Sequence, residues 1–252
     1  MTDTGIETKT AGRSAPRQSF RLLRILLPKK LQPWVRGLRK RWRLRSIKLD
    51  EPYRSVYPYV AASLHRQKNL VGLSEYIEQH GIEGAVVECG VLDGGTAALM
   101  AYSTKQSGRP IHLFDAWVGM PETTEYDGEE SKKWVGQAVG SPKRVAQIMS
   151  KLGILPERIH IHRGWFADTF PTAKIEKIAL LHVDCDFYEP TALCLDRWYP
   201  HLSSGGYIQF DDYHMFQGCT KAVDEFLARH PDIELQTIGQ PERGGAVFIQ
   251  KK

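Results

Sequence analysis

Four carboxylates stand at the ends of two short apolar runs. Residues 178–183 (IALLHV) lead into Asp184-Cys185-Asp186, and residues 207–210 (YIQF) lead into Asp211-Asp212. An acid just past a buried strand is held by the sheet yet open at its carboxyl edge, where open α/β sheets bind ligands. Acids gathered there repel one another unless a cation sits between them. Hard oxygen donors left partly open to a substrate suit Mg²⁺ or Mn²⁺ better than zinc. The pattern predicts metal-assisted chemistry on a mostly parallel sheet.

A second constellation lies earlier in the chain. Residues 88–96 read Glu88-Cys-Gly90-Val-Leu-Asp93-Gly94-Gly95-Thr96 after a short apolar run. Such glycines let a cofactor approach the backbone at the start of a helix. The spacing is not G-x-G-x-x-G, and Glu88 and Asp93 would repel a pyrophosphate while suiting a cationic ligand such as S-adenosylmethionine. A tight turn that simply needs small residues explains the glycines equally well. Asp115 ends the next apolar run and is placed to accept hydrogen bonds from ribose hydroxyls, unless it caps a loop. Trp165, beyond a third run, either stacks on an adenine at the same edge or packs in the core.

The elements needed to position these groups follow in regular alternation. Strands are expected at 85–89, 111–114, 159–162, 178–183 and 207–210, then a closing pair at 234–238 and 246–250. Helices are expected at 69–79, 96–104, 142–152 (capped by Ser141), 191–199 and 220–229, with at most a turn at 171–173. This is an α/β, doubly wound, seven-stranded, mostly parallel sheet with a C-terminal antiparallel strand. The polar excursion at 120–140 has the length and position of a lid, or of a plain solvated loop. Tyr53, Tyr57 and Tyr59 either close an acceptor pocket or anchor the preceding arm.

The chain has 252 residues, 42% apolar and 25% charged, enough for one domain plus an extension. Its charge is asymmetric: residues 1–48 hold 14 Lys/Arg against Asp3 and Glu7, so the remainder is net acidic although the whole is +5. The division is a basic arm, 1–48, and a catalytic domain, 49–252. Residues 1–18 are polar and read as disordered. From 19 to 48, Phe20, Leu23, Leu27, Leu31, Trp34, Leu38 and Trp42 recur among arginines, and Pro28 and Pro33 divide the stretch into two short amphipathic helices. Two readings stand: a helix in an anionic membrane interface, or an arm whose apolar face packs on its own domain or on a second subunit of a homo-oligomer. Nucleic acid is not an expected partner, for no base-reading element accompanies the basic residues. No apolar run approaches the roughly 20 residues that span a bilayer. Four cysteines without a C-x-x-C pair, and no secretory pattern, predict a cytoplasmic protein with reduced thiols, the arm leaving peripheral membrane association open.

Taken together, VVECGVLDGGTA, LFDAWVGMPE, HRGWFADTFP, LLHVDCDFYEPT and GGYIQFDDYH, in this order, resemble the macrocin-type O-methyltransferases, which methylate sugar hydroxyls of macrolides and related natural products. The resemblance runs from about Tyr57 to the C-terminus and leaves the arm outside. It implies a class I methyltransferase fold using S-adenosylmethionine and a divalent metal, usually Mg²⁺. By position it makes Asp184, Asp211 and Asp212 metal ligands, and it places Glu88, Gly90, Gly94, Asp115 and Trp165 at the cofactor. Asp186 takes a supporting, hydrogen-bonding role. Related catechol methyltransferases have a lysine base three residues after the first metal aspartate; here that position is Phe187, which leaves Asp184 or His214 as the base. His182, between apolar neighbours, reads as a core histidine.

The expected reaction is transfer of a methyl group to a small-molecule hydroxyl acceptor, a sugar or other polyol-bearing natural product or a glycolipid. Two alternatives remain: a D-x-D glycosyltransferase built on Asp184-Cys-Asp186, and a membrane-associated binding protein without catalysis.

Overall fold

The computed structural model describes residues 31–240 and 245–252. The polar start of the arm, its first amphipathic stretch and most of the turn between the last two strands lie outside those residues.

The central sheet has seven strands in the order β3-β2-β1-β4-β5-β7-β6. They are β1 (Ala85–Cys89), β2 (Ile111–Asp115), β3 (Ile159–Arg163), β4 (Ile178–Val183), β5 (Leu202–Phe210), β6 (Gln236–Ile238) and β7 (Ala246–Gln250). β1 to β5 run parallel, and β7 pairs antiparallel with both β5 and β6. The buried strands are continuous apolar runs because helices cover both faces of a parallel sheet. All six residues of β4 are buried, His182 among them.

The helices are α1 (Gln32–Arg43), α2 (Tyr53–Val56), α3 (Leu64–Gln79), α4 (Gly95–Ser103), α5 (Pro142–Lys151), α6 (Phe166–Thr169), α7 (Tyr188–Trp198) and α8 (Gln217–Arg229). Leu70 and Ile77 of α3, the apolar residues of α4 and Val145, Ile148 and Met149 of α5 pack on one face with Val86, Leu113 and Leu180. Trp198 of α7, Val223 and Phe226 of α8, and Phe170 pack on the other with Phe114, Leu181 and Phe210.

Several boundaries differ from the expected ones. α3 begins at Leu64 because the Ser63 hydroxyl accepts the Arg66 N–H, a cap that precedes the apolar pattern. Ser141 occupies the N-cap of α5 but makes no side-chain cap there; Pro142 opens that helix instead. The turn expected at 171–173 is replaced by α6 and a 3₁₀ turn, Phe170–Thr172. β5 is longer than its apolar run, extending back through Ser203, Ser204 and two glycines to Leu202. The excursion after β2 is ordered around two 3₁₀ turns, Glu125–Asp127 and Glu129–Trp134.

The arm helix α1 packs on the domain, but not by its apolar side. Arg36 reaches Asp93 and the Val139 carbonyl, and Gly37 is buried against the Arg144 guanidinium. Leu31, Leu38 and Trp42 point outward, between 46% and 63% exposed, while Trp34 lies at the edge of the contact with Lys143 and Arg144 over its ring. The expectation that an apolar face docks on the domain is therefore reversed for α1. Arg36 and Lys40 turn inward toward the buried Asp93 carboxylate, while Arg39, Arg41 and Arg43 stay exposed.

Candidate active site

The parallel register lines up the strand ends. Cys89 pairs with Phe114 on one side and Val183 on the other, and Val183 pairs with Phe210. The next residues, Gly90, Asp115, Asp184 and Asp211, therefore form one row at the carboxyl edge. β1 lies between β2 and β4, the point where strand order reverses and a crevice opens. A cavity of about 440 Å³ occupies that crevice and touches all four residues. Its size is that of a small-molecule site.

One half is built on the glycine turn. Gly90 has φ +91°, and a Cβ there would run into the Asp184 carbonyl oxygen. Gly94 caps α4 in the left-handed region, against Val145. Asp115 does not present a free carboxylate: Oδ2 accepts the N–H groups of Val91 (2.9 Å) and Leu92 (2.8 Å), and Oδ1 accepts that of Trp117 (2.6 Å). Burial raises its pKa, and the three N–H donors oppose that rise. Asp115 thus shapes the turn while still lining the cavity. Trp165 is 44% exposed on the cavity wall, so it is not a core aromatic.

Glu88 and Asp93, read as attractants for a cationic ligand, are not brought to the cavity. Glu88 is fully buried and its Oε1 accepts from His182 Nδ1 at 2.8 Å; Asp93 is consumed by Arg36 and Arg144. Both acids hold the protein together at the positions where the sequence offered them to a ligand.

The other half holds the acids. Asp184, Asp186, Asp211 and Asp212 all line the cavity. Burial pushes Asp184 and Asp186 well above the usual carboxylate range, with Asp212 adding repulsion to each, and Asp212 itself is raised to about 6 by burial and Asp211. Asp211 goes the other way: burial is outweighed by His182 and Arg66, which keep it ionised. Its Oδ1 lies 3.1 Å from His182 Nε2 and accepts from Gln209 Nε2 at 2.7 Å; its Oδ2 has no hydrogen bond and lies 3.5 Å from Arg66. Burial would lower the His182 pKa, but Asp211 and Glu88 on either side raise it well above normal.

His182 is thus the buried core histidine its apolar neighbours suggest, held between two carboxylates. Donor atoms of His182, Asp184 and Asp211 lie within 4.8 Å of one another, the one such trio among the described residues. Asp186 sits at φ +67°, and its backbone N–H, not its carboxylate, donates to Asp212 Oδ2 at 3.1 Å. His214 is not among the residues lining the cavity, and neither are Tyr53, Tyr57 and Tyr59. Ala61 and Ala62 fill the place considered for those tyrosines.

Two contributors carried no local signal. Arg66 lines the cavity and pairs with Asp211, yet in sequence it is one basic residue at a helix start. Asp127 accepts the Tyr188 N–H at 2.7 Å, fixing the excursion to the first turn of α7 just past the D-x-D. Met120, bonded through its backbone to Gly136 and Gln137 in the same ordered loop, lines the cavity with Pro121.

Sheet order and crevice are those of the class I methyltransferases. The solved O-methyltransferase NovP matches with a TM-score of 0.70 and 27% identity over 89% of this chain and all of its own. The calicheamicin methyltransferase CalS11 shares the fold, at a TM-score of 0.60 and 19% identity over 99% of each chain. The family described as macrocin-O-methyltransferase (TylF) matches residues 3–239, a span that takes in the arm as well as the motifs. Mycinamicin III 3''-O-methyltransferase of Micromonospora griseorubida is 34% identical over 69% of this chain and 73% of its own length. Demethyldecarbamoylnovobiocin O-methyltransferase of Streptomyces niveus is 32% identical, over 66% of each. The chain belongs to the macrocin-O-methyltransferase family. That membership removes the glycosyltransferase reading of Asp184-Cys-Asp186.

Proposed function

We propose that this protein moves the methyl group of S-adenosylmethionine to a hydroxyl of a sugar or other polyol borne by a natural product or glycolipid, with Mg²⁺ or Mn²⁺ held by Asp184, Asp211 and Asp212. The observation that carries the reading is the single cavity in which the glycine turn and the acid cluster face each other. Support for the acceptor class comes from a relative whose name specifies a rhamnosyl-bearing tetracenomycin as the molecule methylated.

The residues suit a hard cation. Three carboxylates are raised by burial and mutual repulsion, and the buried Asp211 Oδ2 has no hydrogen-bond partner. When bound, the cation supplies Lewis acidity and a template for the acceptor hydroxyl. The protein does the rest. Gly90 and Gly94 admit the cofactor to the backbone, Asp115 holds the turn around it, and Trp165 offers a face for its base. Asp184, on the cavity wall, is the group to take the hydroxyl proton as the C–O bond forms and the sulfonium leaves as a thioether. Met120, Pro121 and Met215 give the cavity part of its apolar wall. His182 and Arg66 hold Asp211 ionised and fixed in direction.

Calorimetric titration with S-adenosylhomocysteine and a methyl-transfer assay with labelled cofactor test this reading. Wild type should bind; activity should vanish with chelator and return with Mg²⁺. Asp184→Asn should retain the cofactor and lose activity by about 10²-fold or more. Absence of cofactor binding would sink the proposal, and cofactor binding without transfer to any glycosylated acceptor would favour the inactive binding protein.

The outward apolar face of α1 favours one addition: peripheral association with an anionic membrane. Leu38 and Trp42 are exposed beside the exposed Arg39, Arg41, Arg43 and Arg45. Trp and Leu flanked by arginine suit a helix lying in the interface.

A further inference from the structure

The basic arm meets the domain at the glycine turn. Asp93 lies inside that turn and is 1% exposed at its side chain; its Oδ2 accepts from Arg36 Nε at 3.0 Å and Nη2 at 2.8 Å, and pairs with Arg144 Nε at 3.2 Å. Arg36 Nη2 also donates to the Val139 carbonyl at 3.0 Å. The Leu92 carbonyl, beside Asp93, accepts from Trp117 Nε1 at 2.8 Å and from the Ser141 N–H at 3.0 Å. Leu92 and Ala138, neighbours of the two residues that Arg36 grips, line the cavity.

One arm residue therefore fastens two cavity walls that belong to different loops. Arg144 also pairs with Asp93, but its Nη2 donates to the Pro58 carbonyl at 2.6 Å, whereas Arg36 is the residue that joins Asp93 to the Val139 carbonyl. The arm is also packed for the purpose. At Gly37 the backbone of α1 lies directly against the Arg144 guanidinium, which a Cβ there would have to displace, and this close approach brings Arg36 to the turn.

We propose that Arg36 is a positioning residue for the cofactor: through Asp93 and Val139 it locks the glycine turn and the excursion loop in their ligand-ready arrangement, making the arm part of the cofactor site. The inference rests on the methyltransferase reading above, since it requires that the glycine turn receive S-adenosylmethionine. The Arg36 fork spans a carboxylate and a carbonyl together, which a lysine ammonium on a flexible stem does less well. Loss of the clamp acts on cofactor affinity, and not on the acids that face the acceptor.

Full-length wild type, Arg36→Ala, Arg36→Lys and Arg41→Ala are compared by calorimetry with S-adenosylhomocysteine and by steady-state kinetics. Arg41 is the control, for it lies on the same helix and contacts Tyr59, not the turn. Arg36→Ala should weaken S-adenosylhomocysteine by about five-fold or more and raise the KM for S-adenosylmethionine in proportion, with kcat at saturation nearly unchanged. Arg36→Lys should recover part of the affinity, and Arg41→Ala should bind like wild type. Equal affinity of Arg36→Ala and wild type overturns the clamp. So does equal weakening by Arg41→Ala, which would assign the effect to arm docking in general. If wild type itself fails to bind, the methyltransferase reading falls first and the clamp with it.

Discussion

At Gly90 the backbone carries φ +91° and passes so close to β4 that a Cβ would strike the Asp184 carbonyl oxygen. Two demands meet in one residue: a left-handed conformation and an approach closer than any side chain permits. Gly90→Ala should cost about 2 kcal/mol or more in stability, because strain and a backbone collision add. Denaturant unfolding measures that loss, and cofactor titration should show the site impaired even where the fold survives. The glycine was legible in the sequence as a strand-to-helix turn residue; that it also abuts the Asp184 carbonyl was not. Glu88 teaches the converse. Its place at a strand end made it a candidate ligand group, but side-chain direction alternates along a strand, and Glu88 points with Val86 into the helix-covered face, toward His182.

At the scale of elements, the long connection after β2 is held by Asp127. Its Oδ2 accepts the Thr124 N–H at 2.7 Å and hydroxyl at 2.8 Å, and its Oδ1 accepts the Tyr188 N–H at 2.7 Å. Carboxylates at helix N-termini are stabilising both as hydrogen-bond acceptors and toward the helix dipole. Asp127→Ala should lower stability by about 1–2 kcal/mol. It should also raise the KM for the acceptor, as Met120 and Pro121 lose their fixed place on the cavity wall. Proteolysis of the 120–140 segment should quicken in this variant and not in Glu129→Ala, whose carboxylate contacts Lys132 at the surface. A second element-scale feature is the imidazole stack on β2 and β3: His112 stacks on His160 at 4.6 Å, and its Nδ1 lies 3.0 Å from His162 Nε2. Burial, reinforced by His160 and His162, lowers the His112 pKa from 6.5 to about 4. Between those values the unfolded chain binds the proton that the fold refuses, so stability falls as pH drops through this window. His112→Phe should flatten that dependence in urea unfolding compared at pH 7 and pH 5.

For the whole molecule, the arm presents two unlike faces. Arg36 and Lys40 turn inward, where burial and Arg36 lower the Lys40 pKa to about 8; Leu31, Leu38 and Trp42 turn outward. Sedimentation with anionic vesicles should carry the full-length protein down, and Leu38→Glu with Trp42→Glu should leave it in solution with cofactor affinity intact. Equal sedimentation of both forms would remove the membrane reading. Among the described residues no helix is long and apolar enough to cross a membrane. The sequence by itself determined the seven strands and their order of appearance, because parallel core strands must be apolar runs, and it determined which acids would end them. It also contained the glycine turn and the family motifs. Only the tertiary structure decided what those groups face. Arg66 meets Asp211, Asp127 meets Tyr188 and Arg36 meets Asp93 across 57 residues or more, and no local pattern encodes such pairings. Periodicity reports which side of an element is apolar; which charge waits across the gap depends on how the elements pack, and at α1 a buried carboxylate prevailed over the apolar stripe.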